Sequence, residues 1–332
     1  MTHSVQRFAC ASLLAVLWVA ATASSGAALA QTNRDLAGKN LAGADMRGAM
    51  LAGAMLDGAN LRGANLVGAD LTSASLKGTD LREAYLRNAS ARGANFSKSV
   101  LAGADLVKAD LSGANLESAD LSIAKLDSAR LTNANLRGAF MPGASLARAN
   151  LDGAQLQGAT LSGADASQTS LRGASLTGAN LGSAGLGQPG PTGVNLSGAD
   201  LTDTDLSDAN LTDANMKQAT LERARFVGAK LGHADLSWAR AANADFSSTQ
   251  MSWTRAYAAG LRGASFRRAS LLATQLEGAD LAEANFSNAT LDGTNLNQAD
   301  LSNINLTDAT LNKVLANSAK NTPAALSGTR KP

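Results

Sequence analysis

The chain has 332 residues, 45% hydrophobic but only 4% aromatic, a composition that on its own would read as low complexity. Lys and Arg number 29 against 27 Asp and Glu. That balance excludes a global field able to attract nucleic acid or to imitate it.

The first 30 residues read as an export signal. Arg7 closes a short charged start, an uncharged apolar run extends from Phe8 to about Ala23, and Ala28-Leu29-Ala30 supplies small residues at both cleavage positions. The run is short for a membrane span and ends in Ser24-Ser25-Gly26. Cleavage before Gln31 is therefore expected, the alternative being an uncleaved anchor. No membrane span is expected after cleavage, and the predicted location is extracytoplasmic, periplasmic or secreted. Cleavage also removes Cys10 and His3, leaving no cysteine and one histidine, His233. Disulfides, thiol catalysis and Cys/His zinc sites are thereby excluded from the mature chain.

From Leu36 to Leu311 every fifth residue is Leu, Met, Phe or Ala, with Pro191 the one exception, giving 56 consecutive pentapeptides. A helix would scatter residues spaced by five around its axis, and a flat strand would flip each one to the opposite face. One geometry keeps every Leu inside. The residue two before Leu, usually Ala, points inward with it, and the chain then turns a corner, where Gly, Ser, Asn and Asp supply permissive backbone two residues after Leu.

Four such sides make a coil of 20 residues. Phe226, Phe246, Phe266 and Phe286 then stack directly over one another. Outward charges spaced by 20 are opposite in nine cases, among them Asp203/Arg223, Arg225/Asp245 and Asp235/Arg255. They are alike in two, Arg62/Arg82 and Asp280/Asp300. That excess of attraction between neighbouring strands favours the same coil. Asn95, Asn115 and Asn135 should form an amide ladder.

Repeats such as Ala59-Asn60-Leu61-Arg62-Gly63 and Ala199-Asp200-Leu201-Thr202-Asp203 resemble the pentapeptide-repeat family. The resemblance implies an all-β fold, a right-handed four-sided parallel β-helix solenoid, here of about 14 coils. The expected organisation is a signal peptide over 1–30, a β-helix over 31–314, and a C-terminal cap and polar tail over 315–332. Lys39 holds an inward position, so regular packing should start after it. Gly182–Val194, with Gly187-Gln188-Pro189-Gly190-Pro191, is expected to distort one side of a coil at 182–194, because the five-residue spacing survives it. A hinge is the second reading. Thr310–Ala319 is expected to form a short capping helix, since an open coil exposes strand edges and core.

No phosphate loop, HExxH, GxSxG, paired-cysteine motif or calcium nonapeptide occurs. No catalytic residue, cofactor or metal is expected, and Asp280 over Asp300 reads as solvated carboxylates. Asp213, His233 and Trp253 share an outward column that reads as surface stacking. The most distinctive segment, Lys217–Arg268, carries nine bases against three acids together with outward aromatics. Its candidate interaction surface comprises Trp238, Arg240, Trp253, Tyr257, Arg262, Arg267 and Arg268. Arg240, Arg262, Arg267 and Arg268 are singled out because no opposite charge lies 20 residues away. Exposed aromatics beside arginine suit an unknown protein or an anionic glycan or polymer. The leading reading is a non-enzymatic exported scaffold or binding protein, with end-to-end pairing of two copies compatible with the fold. The resemblance also implies the DNA-mimicking, gyrase-interacting role of some family members. Near-neutral charge and the export signal disfavour that role, and no nucleic acid partner is expected.

Overall fold

A computed structural model describes residues 35–182 and 193–326. The expected signal peptide and Gly187–Pro191 lie outside the described residues. The chain divides at Asn150 into two compact units. Both are built from the same element, a three-residue extended side followed by a two-residue corner, repeated every five residues.

The pentapeptide Ala59–Gly63 shows why this element forms. Each of its five N–H groups has a partner. Leu61 and Gly63 donate to Asp80 and Arg82 of the next coil at 2.7 and 2.9 Å, and Asn60 donates to Lys39 of the preceding coil at 2.9 Å. Ala59 closes the previous corner onto Leu56 at 3.0 Å. Arg62, at the corner, donates to the side-chain Oδ1 of Asn60 at 3.1 Å. The last bond explains the Asp or Asn before most leucines: its side chain satisfies a corner N–H that no neighbouring strand reaches. The second corner residue takes the left-handed conformation, with φ 63° at Gly63, where glycine carries no side-chain penalty.

Side centres 20 residues apart pair in parallel, as in Asp45 with Asn65 and Asp245 with Ser265. The ladder therefore gives four sides per coil. The inner Leu and Ala positions are almost entirely buried, and each leucine so enclosed contributes about 1.5–3 kcal/mol before ordering costs. Threonine is tolerated at the alanine position because its hydroxyl finds an inner carbonyl. Thr274 Oγ1 donates to Met251 O, and Thr294 Oγ1 to Leu271 O, both at 2.7 Å. Lys39 is exposed and Leu41 is the first fully buried leucine, so packing does start after Lys39.

In the unit 151–326, Phe226, Phe246, Phe266 and Phe286 form the expected column. Successive ring centroids lie 4.7, 5.2 and 4.7 Å apart with interplanar angles of 10°, 7° and 5°.

Two expectations need correction. Across the interruption, Asp165, Ser170, Ser175 and Asn180 pair with Asn195, Asp200, Asp205 and Asn210, a step of 30 and not 20. This coil is ten residues longer than its neighbours; its side is not simply distorted. Val194 donates to Leu181 O at 2.8 Å, the corner bond that elsewhere joins residues three apart. Gly182 and Gly193 flank the addition: a Cβ at Gly193 would meet the Asp213 backbone at 2.5 Å and has no room, and one at Gly182 would meet the Asn210 side chain at 2.6 Å and force it to move. At the C-terminal end, Thr310–Ala319 is not helical. A strand at Thr310–Asn312, β2, pairs in parallel with β1 at Thr290–Asp292, Leu311 over Leu291. The ladder continues past 314 to Lys320, because Asp300 still offers it a partner strand. Only then does a short 3-10 helix, Ala324–Leu326, bury Leu326 completely.

Candidate functional site

All the candidate residues lie in the unit 151–326, and the coil sorts them by five-residue steps. Corners at 232–233 and 237–238 bracket the side centred on Asp235; corners at 252–253 and 257–258 bracket the side centred on Arg255. Asp235 and Arg255 are ladder partners, so these two sides form one face. His233 and Trp253 stand on one of its edges with parallel rings, 6.5 Å between centroids and 3° between planes. Trp238 and Tyr257 stand on the other, joined by a backbone hydrogen bond of 2.9 Å. Three extended residues set the width between edges at about 10 Å.

Both tryptophans are 56% exposed. Their backbones are left-handed, φ 59° at Trp238 and 61° at Trp253. Bulky residues rarely adopt that conformation, which costs roughly 1–2 kcal/mol against glycine. The same conformation recurs at this corner position along the coil, at Arg223 and Arg268 among others, so what sets the two indoles apart is their large exposed aromatic surface.

The centre of the face is ionic. Asp235 is buried and accepts from Arg255 Nε at 3.1 Å and Lys217 Nζ at 3.3 Å. It also accepts the Ser237 N–H at 3.0 Å. Burial pushes its carboxyl upward in pKa, but hydrogen bonds from Ser237, Arg255 and Lys217 outweigh it and hold the group below the usual aspartate range. The side centres above and below continue the column: Asn215, Asp235, Arg255, Gln275 and Asn295 follow one another, one per coil. Leu272, 41% exposed, extends the Trp253 edge, with its carbonyl accepting the Trp253 N–H at 2.9 Å.

The proposed surface is thus only partly assembled. Trp238, Trp253 and Tyr257 share this face. Arg240 lies on the next side and donates to Thr220 Oγ1 at 2.8 Å. Arg262 belongs to the corner beyond and is paired with Glu283, contrary to the expectation that it lacks an opposite charge. The carboxylate sits 21 residues on, diagonally across the corner. Arg267 and Arg268 are exposed on the fourth corner, away from the aromatic face. Conversely, His233, Asp235 and Arg255 belong to the face although the candidate set omits them. The 20-residue columns of the sequence do group them, His233 with Trp253 and Asp235 with Arg255, but as surface stacking and as a charge pair.

The charge columns follow the same pattern. Arg223 reaches Asp203 at 2.7 Å and Arg255 reaches Asp235 as the 20-residue step expects. Other arms lean sideways: Arg87 to Asp105 at 2.5 Å, Arg92 to Asp110 at 2.6 Å, and Arg62 to Glu83 at 2.9 Å. Arg62 and Arg82 avoid repulsion because Arg82 turns to Asp80 at 2.5 Å. Asp280 and Asp300 each accept an N–H of their own turn, at 3.1 and 3.0 Å. Among the described residues, no cluster of three metal-ligating side chains occurs, and no helix is long and apolar enough to cross a membrane.

A family model described as pentapeptide repeats (8 copies) matches overlapping segments from 25–63 to 284–315, leaving a gap between 184 and 192 where the long coil lies. No curated protein matches the chain. Among solved structures, the chain is similar to HetL of the cyanobacterium Nostoc sp., a pentapeptide repeat protein involved in heterocyst differentiation regulation. The identity is 31% over 76% of this chain and 89% of that one, with a TM-score of 0.25. It is also similar to a pentapeptide repeat protein of the Arabidopsis thaliana thylakoid lumen, at 34% identity over 27% of this chain and 63% of that one, TM-score 0.27. QnrB1, a plasmid-mediated fluoroquinolone resistance protein, matches at 17% identity over 64% and 90%, TM-score 0.38. With the repeat matched over most of its length and its β-helical ladder in place, the chain belongs to the pentapeptide-repeat family.

Proposed function

We propose that this chain is a non-enzymatic, exported binding protein whose 151–326 unit presents the face between Trp253 and Trp238 to a partner. One observation carries the reading. Two half-exposed indoles stand at corner positions on opposite edges of one face, with a guanidinium between them. Tryptophan, tyrosine and arginine dominate the energetics of binding surfaces. Export rests on the composition of residues 1–30, and family membership favours a structural or binding role over chemistry. The test is a full-length tagged chain, followed by fractionation and by capture from the extracytoplasmic fraction. Wild type should be exported and should retain a partner that the Trp238→Gly/Trp253→Gly variant does not. Retention in the cytosol would sink the localisation, and equal capture by both forms would sink the surface.

A second reading concerns the C-terminal end. There the inner residues Ile304, Leu306 and Leu311 are only partly buried, and this uncovered apolar surface supports end-to-end pairing of two copies. A concentration-dependent mass in sedimentation would support it, and a monomer at all concentrations would remove it.

A further inference from the structure

Trp253 stands at a corner and therefore also borders a second face, centred on Lys230, Gln250 and Ser270, which are successive ladder partners. Over three consecutive coils this face consists of residues 226–233, 246–253 and 266–273. These segments contain Lys230, His233, Arg267 and Arg268 and no Asp or Glu. Lys230, Arg267 and Arg268 are exposed, and among the described residues none of their side chains forms an ion pair or a hydrogen bond. The carboxylates around the face are engaged or lie at its ends. Asp245, on the side beyond the fourth corner, accepts the Ser247 N–H at 3.0 Å and is the ladder partner of Arg225. Asp235, beyond the Trp253 corner, is held by Lys217 and Arg255. Asp208 and Asp213 belong to the coil before and Asp292 to the coil after, so they mark the limits of the cationic stretch.

Arg267 and Arg268 form one edge of this face. Trp253 and Leu272 form the other, both exposed, on adjacent coils joined by a backbone hydrogen bond of 2.9 Å. Between the edges the side is flat, about 10 Å wide and roughly 10 Å along the three coils, whereas the indole and the leucine stand on a convex corner. An occupant must therefore offer negative charge over a plane and yield around two projecting apolar side chains. An acidic peptide presents its charge along a line and needs a groove to seat its backbone. A bilayer of anionic phospholipids presents charge over a plane, and its interface is where tryptophan rings settle, apolar body inward and N–H toward water. Each base held near such a surface raises partitioning about fivefold, so the three together are worth on the order of a hundredfold.

We infer that this second face lies against an anionic phospholipid bilayer, with Lys230, Arg267 and Arg268 at the headgroup phosphates and Trp253 and Leu272 entering the interface. The contact is peripheral and goes beyond the partner-binding reading above, with which it shares Trp253 alone.

The experiment is sedimentation of the full chain with phosphatidylcholine vesicles that contain or lack phosphatidylglycerol. The readout is the ratio of the two partition coefficients, to which the apolar run of residues 8–23 contributes alike in every form. Each replacement copies a residue of its own column: Lys230→Gln, Arg267→Ser and Arg268→Asn follow Gln250, Ser247 and Asn288, and Trp253→Gly and Leu272→Ser follow Gly293 and Ser252. Both the triple and the double variant should therefore keep the wild-type melting curve. The control Lys77→Ser/Lys98→Gly/Lys108→Gly removes the same charge from the other unit. Wild type and control should prefer the phosphatidylglycerol vesicles by at least about tenfold, the triple variant should lose that preference, and Lys230→Gln alone should cost about fivefold. The Trp253→Gly/Leu272→Ser variant should bind the same vesicles at least about threefold more weakly. Raising salt from about 0.05 to about 0.3 M should erase most of the preference. No preference in wild type, or an equal loss in the control, would overturn the inference, and an unchanged Trp253→Gly/Leu272→Ser variant would overturn the entry of the corner into the interface. Polyglutamate binding that depends on the three bases, without any vesicle preference, would replace the bilayer by an acidic peptide. Trp238→Gly should leave partitioning unchanged, so failure here and failure of the partner-binding face are read separately.

Discussion

The phenylalanine column offers the most direct measure of what holds a coil to the next. Phe246 is completely buried between Phe226 and Phe266, at centroid distances of 4.7 and 5.2 Å. Leucine is the usual occupant of this inward position, so Phe246→Leu keeps a shape the lumen accepts and removes chiefly the ring contacts. Two stacked pairs at about 0.5–1.5 kcal/mol each put the loss at about 1–3 kcal/mol. Phe96 is equally buried, but the residues 20 before and after it are Leu76 and Leu116, so Phe96→Leu loses no ring pair and should cost less than about 1.5 kcal/mol. Because the two residues lie in different units, amide exchange is the appropriate assay. It reads the ladder bonds Phe246 N to Ser265 O and Phe96 N to Asn115 O, both 2.7 Å. Exchange at the first should accelerate by roughly 5- to 150-fold beyond the change at the second. A double-mutant cycle of Phe246→Leu with Phe266→Leu should show coupling of about 0.5–1.5 kcal/mol. Equal acceleration at both sites, with no coupling, would show that the rings are mere filler.

Two further perturbations probe the lumen and the ionic face. Leu126→Asp places a carboxylate where the native side chain is fully buried among leucines and alanines. It should cost on the order of 4 kcal/mol and lower the thermal midpoint of its unit, and an unchanged midpoint would disprove the inward assignment. Asp235 tests the face through pH. Its folded pKa is depressed, so its contribution is present above the unfolded value of about 3.9 and fades as pH falls through the lower folded value. The gap in melting temperature between wild type and Asp235→Asn should therefore be widest near neutrality and close in acid below about pH 4; parallel curves from pH 7 to 2 would contradict this.

The sequence makes the coil legible because burial repeats at nearly every inward position between Leu41 and Leu301 among the described residues. A residue two before Leu and the Leu itself point inward on every side, so the five-residue beat and the 20-residue Phe column determine the ladder together. The role of the Asp or Asn found at many side centres is less visible, since the corner N–H it satisfies belongs to the backbone and leaves no pattern of its own. The long coil between Leu181 and Val194 is invisible for a sharper reason. Ten residues are two whole beats, so the leucine register survives an addition that the ladder must step around. Charge pairs are half legible: the column rule finds Asp203 with Arg223, but Arg62 and Arg262 have arms long enough to choose a carboxylate one residue off the column.

The same geometry decides how far a surface can be read. Residues close in sequence, such as Trp253, Arg262 and Arg268, are dealt onto different corners, whereas Trp238 and Tyr257, 19 apart, share one. A cluster along the chain is therefore a poor guide to a cluster in space, and position within the 20-residue coil is the better coordinate. The corner adds a second criterion. At its left-handed residue the backbone favours glycine, asparagine or another small polar group whichever side the corner serves, so the repeat itself never calls for an indole there. Trp238 and Trp253 depart from that preference at opposite edges of a single face, around a side centre already occupied by a buried carboxylate and its two cations. Left-handed corners recur throughout the unit, at Arg223, Arg268 and Glu283 as well; exposed indoles that coincide in space, and not the abundance of arginine along the segment, are what separate this face from its other outward positions.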